Sequence, residues 1–510
     1  DLIDETPTDI SFEWTRLLGT SSYDHGVALT TGSDGSIYIT GNTQGDLDGQ
    51  SNSGEKDAFI SKYNPDGTKD WTRLLGYSGY DWGKSLTTGG DGSIYIAGIT
   101  MGDDGEGQYD AFISKYNPDG TKEWTRILSS SNNIYDKGHA LTTGIDGSIY
   151  IAGYTGGDLD GQSHNGGLSD AFISKFNPDG TKEWTRVFGS SHVDYANALT
   201  TGIDGSIYIA GRTSGVDLDK QSNNNEGSNA FMGKYNPDGT KEWIKVLDLS
   251  RWDEGNALTT GIDGSIYIAG MSEGDLNDQI NNDYGDAFIA KYNPDGTKEW
   301  TRLVGSSSLD FANGITTGSD GSIYITGNTS GELDGQTYNG GYSDAFISKF
   351  NPDGTKEWTR LLGTSSIDQG NALTTGSDGY IYIAGYTESD LDGQSNSGEN
   401  DAFISKLSFS YAKNDPITGS SFNLDVDGNE KVSALGDGLM IIRKLFGSAF
   451  DGDALTDKAI SDKATRTTDE IHEYIQSGID SLALDVDKNG TVSALGDGLM
   501  IIRHLFGSAF

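Results

Sequence analysis

Cysteine is absent from the 510 residues. Disulfides, thiolate metal sites and a cysteine nucleophile are therefore excluded. The absence is compatible with secretion but names no compartment. Basic residues are scarce: 35 Lys and Arg stand against 76 Asp and Glu, a formal charge of −41. Such a field repels phosphates, so no nucleic acid and no anionic membrane is expected as a partner, while cation binding and high solubility are favoured. No apolar run approaches the roughly 20 residues of a membrane helix, so no membrane insertion is expected. An initiator methionine is missing too: the chain starts Asp1-Leu2-Ile3-Asp4. Any initiator or signal peptide is expected to have been removed or never included. Apolar residues are only 34%, a share that alone suggests disorder; the 10% of aromatics and the regular strands described next argue against it.

Repeats are what the chain has in abundance. The phrase around Ser36-Ile37-Tyr38-Ile39 recurs with its first Ile at 37, 94, 149, 207, 266, 323 and 381. A second phrase, Asp57-Ala58-Phe59-Ile60-Ser61-Lys62, recurs with its Phe at 59, 112, 172, 231, 288, 346 and 403. A third, typified by Glu123-Trp124-Thr125-Arg126, has its Trp at 14, 71, 124, 184, 243, 300 and 358. Each unit reads as four short strands. In the first, strand a is 27–31, strand b 36–40, strand c 58–63 and strand d 71–75. The β-branched and aromatic content suits strands, and Asp-Gly suits the turns between them. Four antiparallel strands repeated seven times predict a mainly β, seven-bladed β-propeller rather than a linear solenoid. The ends support a ring: the last unit lacks a Trp strand, and the chain opens with an orphan one at 12–18, which is expected to close blade seven.

The phrases "DGSIYI.G", "DAFISKYNPDGT" and "EWTR" over residues 12–408 resemble the bacterial β-propeller repeat family called SBBP. The resemblance implies a secreted or surface-exposed propeller and no particular ligand.

The a–b turns and the Asn-Pro-Asp-Gly c–d turns hardly vary and read as structural. The b–c and d–a connections differ between units, and unlike loops on one scaffold edge are where binding surfaces are built. The candidate ligand face there comprises Tyr23, Trp82, Tyr135 and Trp252 with Asp81 and Asp253. Tyr195 and Phe311, with Asp24, Asp136, Asp194 and Asp310, extend it. Aromatics beside carboxylates suit a glycan or a basic protein segment. The b–c loops also carry Asp pairs, among them Asp46/Asp48, Asp158/Asp160 and Asp390/Asp392, readable either as Ca²⁺ ligands or as solvated turns.

Composition changes after residue 410. The expected organisation is an extension over 1–11, the propeller over 12–410, a linker over 411–422 and a second domain over 423–510. That domain is duplicated at an offset of 60: residues 432–443 recur at 492–503 letter for letter. Oxygens at positions 1, 3, 5 and 7 and a closing acid suit a hard cation. They are Asp425, Asp427, Asn429, Lys431 (through its carbonyl) and Asp437, then Asp485, Asp487, Asn489, Thr491 (through its carbonyl) and Asp497. Two Ca²⁺ ions are expected. Each loop runs into an apolar helix ending at Gly447 or Gly507, and a third helix, 468–477, is expected from the capping box Thr467/Glu470 to Gly478. Two such loop–helix units resemble a dockerin, which implies a cohesin-like or self-assembly partner. The closing acid here stands at position 13, and Glu430 holds the position where Gly490 stands in the second loop.

His25, His139, His164 and His192 fall in different loops with no common motif, and no nucleophile elbow, phosphate loop or His-metal motif occurs. The expected function is therefore a non-enzymatic extracellular or cell-surface binding or adhesion protein, bacterial by resemblance, with a calcium-dependent assembly domain. A structural subunit of a surface layer or filament is the alternative. A propeller hydrolase or lyase acting on polysaccharide is a further one. It gains ground if three or more non-repeating polar side chains converge at the tunnel mouth.

Overall fold

The computed structural model describes residues 9–101, 108–131, 135–215, 218, 227–247, 252–274, 284–410, 425–426, 439–445, 455–457, 459–460 and 464–480. The chain divides into two units, 1–411 and 412–510.

The first unit is a ring of seven four-stranded antiparallel sheets. In blade one, strand a is Asp24–Thr31, b is Ile37–Thr43, c is Asp57–Tyr63 and d is Lys69–Leu75. Blade seven joins the strands Asp368–Thr375, Ile381–Thr387 and Asp401–Ser410 to the N-terminal strand Asp9–Leu18, which pairs from Asp9↔Ser410 to Leu18↔Ala402. The ring is thus closed by the strand that the orphan Trp14 marks. Strands b and c are buried almost throughout, because each sheet packs on both faces against its neighbours; Ile37, Phe59 and Ile60 are fully buried.

The repeated phrases are the joints between blades. The Trp71 indole N–H donates to Pro118 O (3.1 Å) and Arg73 Nε to Gly120 O (3.0 Å), so strand d of blade one grips the Asn-Pro-Asp-Gly turn of blade two. Arg16 makes the same bond to Gly67 O across the closure (3.0 Å). Gly67 has φ 78°, and a Cβ there would stand 2.8 Å from the Trp14 ring, so only glycine fits beneath the indole. Near the opposite end of the tunnel from the d–a corners, the second Thr at the end of strand a bonds round the ring in six blades: Thr88 Oγ1 donates to Thr31 O (3.2 Å) and Thr31 Oγ1 to Thr375 O (3.3 Å).

Strand a begins three residues earlier than its sequence suggests. Gly26 pairs with Gly41 and Ala28 with Thr40, so Val27 is an extra, bulged residue. The same shift occurs in every blade and leaves Lys84, His139, Asn197, Asn256, Asn313 and Asn371 at the bulge. A bulge breaks the two-residue alternation by which a strand is recognised.

In the second unit two helices are described, α1 (Leu439–Leu445) and α2 (Thr468–Asp480). The capping box forms: Thr467 N–H donates to Glu470 Oε2 at 2.7 Å. Helix α2 runs through Gly478 rather than stopping there. Val426, Met440, Ile441, Leu455, Ala459, Ile471 and Ile475 form a small core.

Candidate functional site: the tunnel mouth

Among the described residues, the d–a corners are held by a buried aspartate. Asp24 Oδ2 accepts the N–H and the hydroxyl of Thr20 (2.6 and 2.8 Å), and Asp194 holds Ser190 in the same way (2.7 and 2.8 Å). Asp81 accepts Tyr77 N–H at 2.8 Å and the Thr100 hydroxyl. In six of the corners the backbone then bonds the previous blade, as Asp81 N does to Lys56 O (2.8 Å) and Asp253 N to Ser228 O (2.9 Å). Asp81 and Asp253 are each 1% exposed, and Asp24, Asp136, Asp194 and Asp310 are fully buried. The expectation that these carboxylates face a ligand is corrected: they fasten the corner, and a ligand cannot reach them. Burial pushes Asp136 up to about 6 and raises Asp24 and Asp310.

The aromatic candidates divide. Tyr23, Tyr135 and Trp252 precede the corner aspartate and are exposed at 41%, 53% and 45%. Trp82 follows it and opens strand a of blade two (Trp82–Thr88), so it lines the tunnel. It stacks on Tyr80 (5.7 Å, 17°) and meets Tyr109 (5.4 Å), which in turn meets Tyr135 (5.5 Å). Trp82 and Trp252 belong to blades two and five, and of the two only Trp82 lines the mouth cavity. The b–c loops of blades one, three and six fold back on their own blade. Asp48 takes φ 52° in a tight hairpin and binds Lys69 and Thr72 of strand d; Asp160 and Asp334 repeat this with Lys182 and Thr185, and with Lys356 and Thr359. Gln50 bonds both Thr72 O and Leu74 N, covering an edge strand.

A cavity of about 460 Å³ opens at the mouth, lined by His25, Val27, Asn42, Lys56, Trp82, Lys84, Asn313, Gln369, Asn371 and Tyr386. A second of about 200 Å³ lies among the strand-a residues, with Lys84, His139 and Asn197 in its wall. In blades four to seven the bulged Asn bridges to the next blade: Asn197 Nδ2 donates to Gly255 O (3.2 Å), Asn256 to Ala312 O (3.2 Å), Asn313 to Gly370 O (3.1 Å) and Asn371 to Gly26 O (2.8 Å). Blades one to three replace this belt with Val27, Lys84 and His139. His25 stacks on Tyr386 at 4.2 Å and 13°. Burial, then Lys56 and Lys84, hold His25 down to about 4; burial and Lys84 hold His139 down to about 3. Both imidazoles are therefore neutral at pH 7. Lys56, Lys84 and Lys137 had gone unnoticed in the sequence because lysine is common and each stands alone. Aligning the seven strand-a segments exposes Lys84 and Lys137 at once, since two columns vary while their neighbours repeat.

Of the ten expected calcium ligands, only Asp425 is among the described residues. Its carbonyl accepts Arg466 Nη1 at 2.6 Å, which ties the first loop to the residues just before α2. Asp427, Asn429, Lys431, Asp437, Asp485, Asp487, Asn489, Thr491 and Asp497 lie outside them, as do the Asp pairs of the b–c loops in blades two, four and five.

The SBBP family, described as a beta-propeller repeat, matches residues 13–48, 299–334 and 357–392. Three segments of this chain are thus similar to the SBBP repeat. Each match runs from a Trp strand into strands a and b of the next blade, so sequence repeat and blade are out of phase. A domain of unknown function described as a beta-propeller, DUF5122, matches residues 89–123. Among curated proteins, the regulatory protein FlaEY of Caulobacter vibrioides is 25% identical over 398 residues, covering 69% of this chain and 40% of that protein. An uncharacterized WD repeat-containing protein, L264, of Acanthamoeba polyphaga mimivirus is 23% identical over 535 residues, covering 84% and 36%. The chain thus spans well under half the length of either relative. Among solved structures, polysaccharide lyase Uly1 is 12% identical with a TM-score of 0.44, covering 77% of this chain and 91% of that one. The Neurospora crassa Pan2 WD40 domain is 9% identical with a TM-score of 0.42, covering 77% and 95%.

Proposed function

We propose that this protein is a non-enzymatic binding protein of the bacterial exterior or cell surface. Its propeller presents a ligand site at the tunnel mouth, and its C-terminal unit is a dockerin-like, calcium-dependent assembly domain. One observation carries the first half: repetition is lost around a single cavity. His25, Lys56, Trp82, Lys84 and Tyr386 have no counterparts in most other blades, yet all line it. A site that must be asymmetric to recognise a ligand is where a repeat has reason to diverge. The duplicated Asp-x-Asp-x-Asn segments at an offset of 60 support the calcium role.

Trp82→Ala in the full chain, assayed on a glycan array and against bacterial surface extracts, tests the propeller site. The expected outcome is loss of most binding, with the melting temperature little changed; unchanged binding refutes the assignment.

A second reading, a hydrolase or lyase acting on polysaccharide, is favoured by that same convergence of non-repeating polar side chains, in which His25 is neutral and able to accept a proton. Prolonged incubation with any bound glycan separates the two. Binding without chain shortening is expected, and shortening abolished by His25→Asn establishes the enzyme.

A further inference from the structure

The strand-c lysines of the repeat are neutralised. Strand-c lysines such as Lys115, Lys175, Lys234 and Lys291 each hold a Glu at 3.0–3.1 Å and an Asp at 3.3–3.8 Å. The lysines of the mouth differ. Among the described residues, Lys56, Lys84 and Lys137 have no carboxylate within ion-pair distance. Lys137 Nζ instead lies over the Tyr109 and Tyr154 rings, at 5.3 and 5.6 Å. On the blade-four side, by contrast, Arg212 is matched by Glu254 at 3.7 Å. A chain of charge −41 thus keeps an uncompensated positive cluster at one side of its tunnel mouth. Lys56 and Lys84 both line the mouth cavity, and burial, then Lys137 and Lys56, lower the pKa of Lys84.

The wall of the same cavity holds an unsatisfied donor. Asn42 is 3% exposed, and its Nδ2 has no hydrogen-bond partner. A buried amide N–H without an acceptor costs free energy until something supplies one. Beside it stands the half-buried Trp82, extended by Tyr80 and Tyr109 into a continuous aromatic surface.

We propose that the mouth of the propeller, where blades seven, one and two meet, binds an acidic sugar. Its anionic group is held by Lys84 with Lys56, its ring is laid on Trp82, and its oxygens accept from Asn42. This rests on the mouth being the ligand site and adds the chemical class of the ligand. Three observations select a saccharide over other anions. The aromatic surface offers a flat apolar face with polar edges. The amides Asn42, Gln369 and Asn371 suit hydroxyl groups, which both donate and accept. The acidic body of the molecule repels densely charged polyanions, whereas a glycan carries at most one or two charges per ring. The cavity of about 460 Å³ falls in the range of small-ligand sites.

The repeat supplies its own conservative variants. Lys84→Asn places at the bulge the residue that blades four to seven carry there, and Trp82→Gln copies Gln369 of blade seven. The full chain and these variants are applied to an array of uronate-, sulfate- and sialate-bearing glycans together with neutral ones. Affinity for the hits is then measured by calorimetry, beside sodium sulfate and an acidic peptide. The expected result is binding confined to anionic glycans, weakened by salt. Lys84→Asn should lower the affinity roughly ten- to hundredfold with no loss of melting temperature. Binding of neutral glycans equal to that of anionic ones, with Trp82→Gln abolishing both, overturns the acidic-sugar assignment and leaves the mouth as the site. Preference for the acidic peptide, binding of sulfate as tight as that of any glycan, or binding to none of the anionic glycans also overturns it. Binding unaffected by either variant overturns both readings.

Discussion

The bulged residue of strand a is where the bonding between blades changes round the ring. In four blades it is Asn, and its amide sews one blade to the next; in blades one to three the stitch is given up. Val27 is the simplest of the three exceptions, since it carries no charge. Val27→Asn should restore a bond to the carbonyl of Gly83, the position matching Gly26 and Gly255. A net gain of about 0.5–1.5 kcal/mol is expected, the usual worth of one such bond. Thermal or denaturant unfolding checks this; no gain, or a loss, shows that the blade-one bulge cannot take the Asn geometry. At Lys84 and His139 the same exchange removes a charge or a titrating ring, so there stability and binding should move in opposite directions.

At the scale of the strand, closure by Asp9–Leu18 makes Trp14 a structural residue. It is 8% exposed and packs with Leu18, Ile37 and Tyr63 across the joint between blades seven and one. Trp14→Ala should cost about 3–5 kcal/mol, read from urea unfolding of the propeller; a cost under about 1 kcal/mol would mean that the ring closes without it. The strands were legible in the sequence because b and c alternate or run apolar between Asp-Gly turns, and the orphan Trp showed how the ring closes. The first three residues of strand a were not legible. Asp24-His25-Gly26 looks like a loop because the bulge at Val27 interrupts the alternation, and those residues hold much of the site. The corner aspartates misled for a related reason: a carboxylate next to an aromatic looks exposed in a sequence, whereas Thr20 and Ser190 show that it is an internal tie. Lys56 was hidden differently, by sitting just ahead of strand c and reaching the corner of the next blade.

Over the whole molecule, buried carboxyls set the response to pH. Folding raises the pKa of Asp24, Asp57, Asp310, Asp368 and Asp401, and carries Asp136, Asp170 and Asp344 to about 6, chiefly by burial. Such groups bind protons more tightly when folded, so their contribution to stability grows as pH falls from about 6 towards 4. His25 and His139 act oppositely: between 6.5 and about 4 the unfolded chain takes up protons that the native imidazoles refuse. Between pH 7 and 5 the three carboxyls near 6 oppose the two imidazoles, so the two effects largely offset and the melting temperature should change little there. Below about 4 it should fall, as turn aspartates such as Asp66 and Asp119, lowered by bonds from Thr68 and Thr121, are protonated. Calorimetric scans from pH 3 to 8 check the order; a steady decline from pH 7 to 5 contradicts it. The C-terminal unit should respond to chelation instead: removing Ca²⁺ from the full chain should lower a separate, earlier transition, and Asp425→Ala or Asp485→Ala should each remove one site. The closure strand has a mechanical meaning as well. Asp9 and Ser410 are paired neighbours, so a pull between these two ends loads the hydrogen bonds of blade seven one after another rather than all together. Tension of that kind peels a single strand from the ring at low force while the other six blades stay folded, making blade seven the fuse of the propeller.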